Sequence, residues 1–438
     1  MPEKSVITSL VGVASPLLVC DTSNPSYITQ DSPWIPRDWF KTTPFVKDEL
    51  TLSPTNSSKL GVELQFELPK LASVVSNICL RTVVPSHTVV PVAPAYFTDA
   101  TGFAIIEYFH TNFGSNQVYT TQDIDLYIRF SRFHEYEDQL AITALTYADT
   151  TTAQRSALLL NGEADGLYTP LWQPMDMDTS TALPLVALSQ KTRFLLKTRP
   201  LANIVYNPNA AVITPAQDYD FSLVLEVVHT TGDESNYILQ MSQQDDGIAY
   251  MIHQHVRQDS GNYANTQNGF EIIDRMSGIT KPIMVLYWAL IPTRLRNNTG
   301  YNDFYMFAPQ PVPIPPGMNP YNPVQNWRIE ANGQIVQRQK NRKYDIYYQH
   351  YRKNKSLAGE DIFTQDYTSA GPTLCNAATG FLDYTNLNNA TLYVRLGTGG
   401  TGLDPLNQGQ PQQLTVVYNA LDYNFHYFHS GNWTRAFN

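Results

Sequence analysis

Apolar and polar residues alternate at a spacing of two along much of this chain. In GVELQFELP, Gly61–Pro69, Val62, Leu64 and Phe66 fall on one side and Glu63, Gln65 and Glu67 on the other. That is the pattern of a half-buried strand. NICLRTVVP, Asn77–Pro85, reads as a second strand. IIEYFHTNFGSNQVYTT, residues 105–121, reads as a hairpin turning at Gly114 and Ser115. WRIEANGQIVQRQ, Trp327–Gln339, reads as another, with Asn332-Gly333 supplying the type I′ turn. PIMVLYWALIP, Pro282–Pro292, is the clearest buried strand. Two stretches resemble each other in layout. LPLVALSQKTRFLLK (183–197) precedes the strand FSLVLEVVHTTG (221–232). GFLDYTNLNNATLYVRL (380–396) precedes the long aromatic strand LTVVYNALDYNFHYFHSGNW (414–433).

The period changes in HEYEDQLAITALTYADTTTAQRSALLLN, residues 134–161. This segment has no Gly or Pro and is rich in Ala, Leu and Gln. It predicts one or two helices, broken at Thr150–Thr152. Residues 86–103, and the Pro-rich excursion of 293–325 that contains APQPVPIPPG, read as long loops projecting outward or clasping neighbours.

The order of elements occurs twice. Gly114 and Gly333 both mark hairpins, 219 residues apart. Asp125-Leu126-Tyr127 parallels Asp345-Ile346-Tyr347 at a spacing of 220, each read as part of the strand after its hairpin. HTTG ending at Gly232 parallels HSG ending at Gly431. The fold class that follows is all-β with short helical insertions, two consecutive eight-stranded jelly rolls. The expected divisions are an N-terminal arm, 1–27, a first jelly roll, 28–232, and a second, 233–438.

Composition sharpens this picture. The 438 residues include 27 Tyr and only 16% charged residues, with 12% aromatic, a mixture suited to pleated, half-buried surfaces. Net charge is −10, which argues against direct binding of a genome through a strongly basic face. Cys20, Cys79 and Cys375 are odd in number and widely spaced, so they form no disulfide framework. The apolar segment SVITSLVGVASPLLVC is interrupted by Pro16 and is too short to span a bilayer. It reads as an ordinary buried N-terminal segment; the alternatives are an arm that packs on a partner or lies against a membrane, and a signal-peptide core.

Candidate chemistry is sparse. His253 and His255 share a strand face, and His426 and His429 lie near Tyr427 and Phe428. A metal centre would need further ligands converging on either pair. Asp176/Asp178 and Asp245/Asp246 are acidic pairs, but glycosidic chemistry needs two carboxylates across one cleft. No nucleophile elbow or phosphate-binding loop occurs. No catalytic, metal or cofactor residues are therefore assigned, and the chain is not read as an enzyme. RQKNRKYDIYYQHYRKNK, Arg338–Lys355, interleaves seven of the 29 basic residues with Tyr344, Tyr347, Tyr348 and Tyr351. It could contact phosphates and bases, an acidic neighbour or a membrane surface. The plainer reading is a solvated hairpin leading into an aromatic-packed strand. Glycosylation sequons start at Asn56, Asn297, Asn354, Asn389 and Asn432.

ALPLVALSQKTRFLL (182–196), ITKPIMVLYWAL (279–290), GFLDYTNLNNATLYVRL and, more weakly, WFKTTPF (39–45) resemble segments of the double jelly-roll major capsid proteins of large eukaryotic DNA viruses, the iridovirus and phycodnavirus lineage. ELPKLASVV stands where those proteins usually carry a Gly-Asp pair, so no single virus group is indicated. The resemblance implies a structural subunit forming pseudo-hexagonal homotrimeric capsomers of an icosahedral shell. Its implied partners are neighbouring capsomers, minor capsid proteins and an inner membrane. Its implied place is the virion, assembled in the host cytoplasm. A scaffold or minor capsid protein of the same fold, or a carbohydrate-binding or -cleaving β-sandwich, is the alternative.

Overall fold

The computed structural model describes residues 45–435, apart from 93, 134–135, 175–181, 208, 245–246, 266–269, 294–323, 350–361, 370–379, 388 and 398–411. The N-terminal arm, Cys20, Cys375, the Pro-rich excursion and most of WFKTTPF lie outside the described residues.

Strands dominate for the reason the alternation gave. β1 (Phe45–Leu52) buries only Leu52 at its end, but in β2 (Glu63–Leu68) and β3 (Val74–Val84) the apolar residues of one parity are buried, including Leu64, Phe66, Ile78 and Leu80. The first half continues with β4 (Ile106–Phe113), β5 (Asn116–Gln122), β6 (Glu163–Pro170), β7 (Thr192–Thr198) and β8 (Asp220–Thr230). The second half has β9 (Ile248–Asn265), β10 (Glu271–Arg275), β11 (Pro282–Pro292) and β12 (Val324–Ala331). It ends with β13 (Gln334–Asn341), β14 (Ile362–Asp366), β15 (Thr391–Leu396) and β16 (Gln412–His429).

The pairing is duplicated. In the first half one sheet has the order β1-β8-β3-β6 and the other β2-β7-β4-β5. In the second half the orders are β9-β16-β11-β14 and β10-β15-β12-β13. Adding eight to each strand number of the first pair gives the second. Leu183–Pro184 adds to β3 and Leu382–Asp383 to β11, again at matching places, while Asn432–Arg435 extends the second half at β16. Both hairpins form where expected. Gly114 turns one at φ 61°, and Asn332 and Gly333 turn the other at φ 54° and 73°, the paired positive angles of a type I′ turn.

The helical stretch also forms, as α2 (Tyr136–Thr146) and α3 (Thr152–Asn161). The break falls in the Thr run because Thr151 caps α3 through Gln154 N–H, and the Gln154 side chain returns the bond. Another helix, α4 (Gly232–Gln243), starts at the Thr231 cap and links the halves.

Three expectations are corrected. Asp125–Tyr127 is helical, within α1 (Asp123–Phe133), and Asp345–Tyr347 lies in a π-helical turn, Tyr344–Gln349. The Asp-Ile-Asp-Leu alternation mimicked a strand. However, Ile124 and Ile128 recur at helical spacing and are both fully buried. The parallel between the halves survives as hairpin followed by helix. The basic hairpin accordingly leads into that π-helical turn, whose Tyr344, Tyr347 and Tyr348 are exposed. Residues 86–103 are not a simple projecting loop. His87–Val90 pairs with Val212–Pro215, Tyr96–Phe97 pairs with Val205–Tyr206, and Phe97 and Ala100 are buried. Val92 at the tip is exposed.

The sheet containing β11 is buried on both faces. Leu286, Trp288 and Leu290, with Val416, Tyr418 and Ala420 of β16, belong to the core of the second half. Val285, Tyr287, Ala289 and Ile291, with Val417, Leu421 and Tyr423, join a core continuous with the first half. This explains why β11 reads as an unbroken apolar run. Trp288 stacks on Phe363 at 4.3 Å and meets the Trp327 edge at 5.5 Å. We expect Trp288→Ala to lower stability by about 3–5 kcal/mol, measured by urea unfolding; a loss below ~1 kcal/mol would show that this cluster is not a central support.

Candidate functional site: the seam between the halves

Few of the residues singled out in the sequence gather into a chemical centre. Asp176, Asp178, Asp245, Asp246, Asn297 and Asn354 lie outside the described residues. Among the described residues no three His, Cys, Asp or Glu side chains are placed to hold a metal ion, and no helix is long and apolar enough to cross a membrane. Asn56, Asn389 and Asn432 are exposed. The Asn56 amide donates to Glu63 O at 2.8 Å and accepts from Gln65 N–H at 3.0 Å, and Asn432 Oδ1 accepts from Gln190 at 3.3 Å.

Three of the four candidate histidines instead line the contact between the halves or stand beside it. β9 pairs with β16 so that His253 lies opposite Tyr423 and His255 opposite Leu421. His253 is buried, with its ring 5.1 Å from that of Tyr423. The His255 Nδ1–H donates to Asn419 Oδ1 at 3.0 Å. His426 of β16 meets Tyr119 Oη of β5 across the seam, at 2.8 Å from Nδ1. Trp433 closes over this pair, 5.4 Å from His426 and 6.3 Å from Tyr119, with its other contact to Phe113 at 5.5 Å. His429 is exposed at the strand end.

The largest feature that the sequence reading missed is the polar stripe of α1. Asp125, Arg129 and Arg132 follow one another at steps of four and three, so they share one helix face. All three are nearly or fully buried. The Asp125 carboxylate accepts from Gln122 N–H at 2.9 Å and from the Asn419 amide across the seam. Asn419 thus bridges Asp125 and His255. Arg129 lies 5.4 Å over the Trp172 ring. Arg132 donates to Ile362 O of β14 at 3.2 Å. Arg257 of β9 reaches Gln122 and is held by Asp259 at 2.6 Å. Nearby, Asp123 pairs with Arg199 at 3.0 Å inside the first half. Once the segment is known to be helical, the spacing of Asp125, Arg129 and Arg132 is the signal that would have found the stripe.

The seam ends at a close backbone approach. Ser189 N–H and Oγ both donate to Gly431 O at 2.8 Å. Gly431 has φ 80°, and a Cβ there would lie 2.7 Å from Ser189 Cβ. Both the angle and the contact require glycine.

This arrangement positions the two halves against one another; among the described residues of the seam no nucleophile, base and oxyanion donor surround a common point. Residues 37–238 match the family model described as the major capsid protein N-terminus. VP54 of the virus PBCV-1 superposes with a TM-score of 0.72 at 14% identity, covering 92% of this chain and 98% of that one. The Faustovirus major capsid protein superposes at 0.67 with 9% identity over 97% and 98% of the two chains. The mavirus major capsid protein superposes at 0.51 with 10% identity over 97% of each. A comparison with curated protein sequences found no match.

The fold is that of the double jelly-roll viral capsid proteins. Residues 37–238 carry the sequence signature of a major capsid protein N-terminus, and a carbohydrate-active sandwich is not favoured.

Burial holds the His255 imidazole below its usual range, with the Asp125 carboxylate opposing. The folded protein therefore takes up this proton less readily than the unfolded chain. The resulting stability is complete above about pH 6.5 and is lost as pH falls through the lowered value. We expect His255→Gln to show a shallower loss of urea stability than the wild type between roughly pH 7 and 5; identical slopes would remove His255 from the account of the seam.

Proposed function

We propose that this protein is the repeating shell subunit of an icosahedral double-stranded DNA virus and assembles as a homotrimeric, pseudo-hexagonal capsomer. The observation that carries this reading is the duplicated strand order. Three copies, each holding two similar barrels, present six similar barrels around one axis. Such units tile a facet, and the mechanism is burial and shape complementarity between subunits with no chemical turnover. The divisions of the chain in this reading are the arm, 1–27, and the barrels, 28–232 and 233–438. The partners are its own copies, neighbouring capsomers, minor capsid proteins and an inner membrane, with no direct contact to the genome. Assembly takes place in the host cytoplasm. The competing role, a minor or scaffold protein of the same fold, is separated by copy number in purified particles.

Size-exclusion chromatography with light scattering tests the capsomer directly. The expected mass is three times the 49.4 kDa of one chain; a monomer at every concentration would refute the trimer.

The apolar segment within the first 24 residues is proposed to face the shell interior, where it meets the membrane or minor proteins. Deleting residues 1–24 is expected to leave soluble trimers that fail to complete shells. External protease should spare the segment in intact particles; its selective removal would put it on the outer surface.

A further inference from the structure

Among the described residues, one copy of the seam contact is filled and its duplicate is not. Within the chain, the hairpin β4–β5 and the helix α1 of the first half pack on the outer face of the β9-β16-β11-β14 sheet. The duplicated strand order gives the second half the same donor, the hairpin β12–β13 followed by the π-helical turn. It gives the first half the same acceptor, the outer face of the β1-β8-β3-β6 sheet.

Among the described residues, nothing covers either of these surfaces. On the donor, Ile335 is 59% exposed, and Tyr344, Tyr347 and Tyr348 are 44%, 47% and 49% exposed. Nothing lies within 4 Å of a Cβ placed on Gly333 at the hairpin tip. Exposed tyrosines clustered this closely are typical of protein interfaces. On the acceptor, the register fixes the outward residues. Glu49 lies opposite Glu226, and Thr51, Val224 and Cys79 form the next row. Leu223 and Leu225 point the other way, into the barrel.

The charges of the two surfaces are complementary. From Gln334 to Gln349 the donor carries Arg338, Lys340, Arg342 and Lys343 against Asp345 alone. On the acceptor the register places Glu49, Asp220 and Glu226 on the outward side with Lys47 and Arg81, whereas Asp48 lies opposite Val227 on the inward side. Glu49 and Glu226 face each other directly, an unfavourable pair that a cation relieves. Lys47 reaches Glu226 at 2.6 Å, leaving one negative charge in excess at that position.

We propose that the β13 and π-turn surface of one copy docks on the outer face of the β1-β8-β3 sheet of a second copy, with the tyrosines at the centre and Arg338 and Lys343 toward Glu49 and Glu226. The contact is heterologous, head to tail, and closes when it returns to the first copy. It rests on the trimer reading and specifies the surfaces that build the trimer.

The test uses the full chain with two surface variants, each confirmed as folded by its thermal transition. The donor variant is Arg338→Glu/Lys343→Glu/Tyr347→Ala, and the acceptor variant is Glu49→Lys/Glu226→Lys. Light scattering should find the wild type as a trimer and each variant alone as a monomer at concentrations at least ~10-fold above those that sustain the wild-type trimer. An equimolar mixture of the two variants retains one intact pair of surfaces and should give a dimer that cannot close. If either variant remains trimeric, or if the mixture stays monomeric, these surfaces do not form the contact, although the trimer reading survives. If the wild type itself is monomeric throughout, the trimer reading fails and this inference falls with it.

Discussion

The structure depends on a sheet that has no solvent face. The β9-β16-β11-β14 sheet is covered on one side by its own barrel and on the other by the first half. An isolated second barrel would expose Val285, Tyr287, Ala289, Ile291, Val417 and Leu421 together. At about 25 cal/mol per Å² of apolar area, leaving such a face in water is costly on the scale of a domain's whole stability. The halves are therefore two units by topology and one by energetics.

Apolar burial alone would let the barrels slide. The seam adds directional contacts: Asp125 to Asn419, Arg132 to Ile362 O, Tyr119 to His426, and Ser189 to the Gly431 carbonyl. Buried polar groups lose water and contribute little net free energy unless their partners are in place. Their effect is to penalise every misaligned arrangement. Gly431 works in the same direction through sterics, because only a residue without a side chain allows Ser189 so close.

Much of the fold could be read from the sequence, because period-two alternation and turn chemistry are local. Both hairpins, the buried β11 run, the helical break at the Thr run and the repeated order were visible in this way. Asp123–Phe133 was misread because its first four residues alternate like a strand, whereas its burial on two sides is a tertiary fact. The seam was less legible. Asp125, Asn419 and His255 are separated by up to 294 residues, and no local pattern marks residues that will meet. His426 was noticed for its neighbours Tyr427 and Phe428, yet its partners across the seam are Tyr119 and Trp433. The residues 86–103 were taken for a loop because each of their strands is short and pairs with a segment more than 100 residues away.

The tether between the halves carries a kinetic consequence. β8 ends at Thr230 and β9 begins at Ile248, joined through α4. So short a connection holds the two seam surfaces at an effective concentration in the millimolar range or above, without any encounter between separate molecules. A contact formed under that condition tolerates buried carboxylates and guanidinium groups that would slow or misdirect a diffusional association. Tandem duplication thus makes this contact between the halves a unimolecular event. In the proposed shell, the contacts that remain between copies are then free to be weak and reversible, so a wrongly placed subunit can leave before the lattice closes around it.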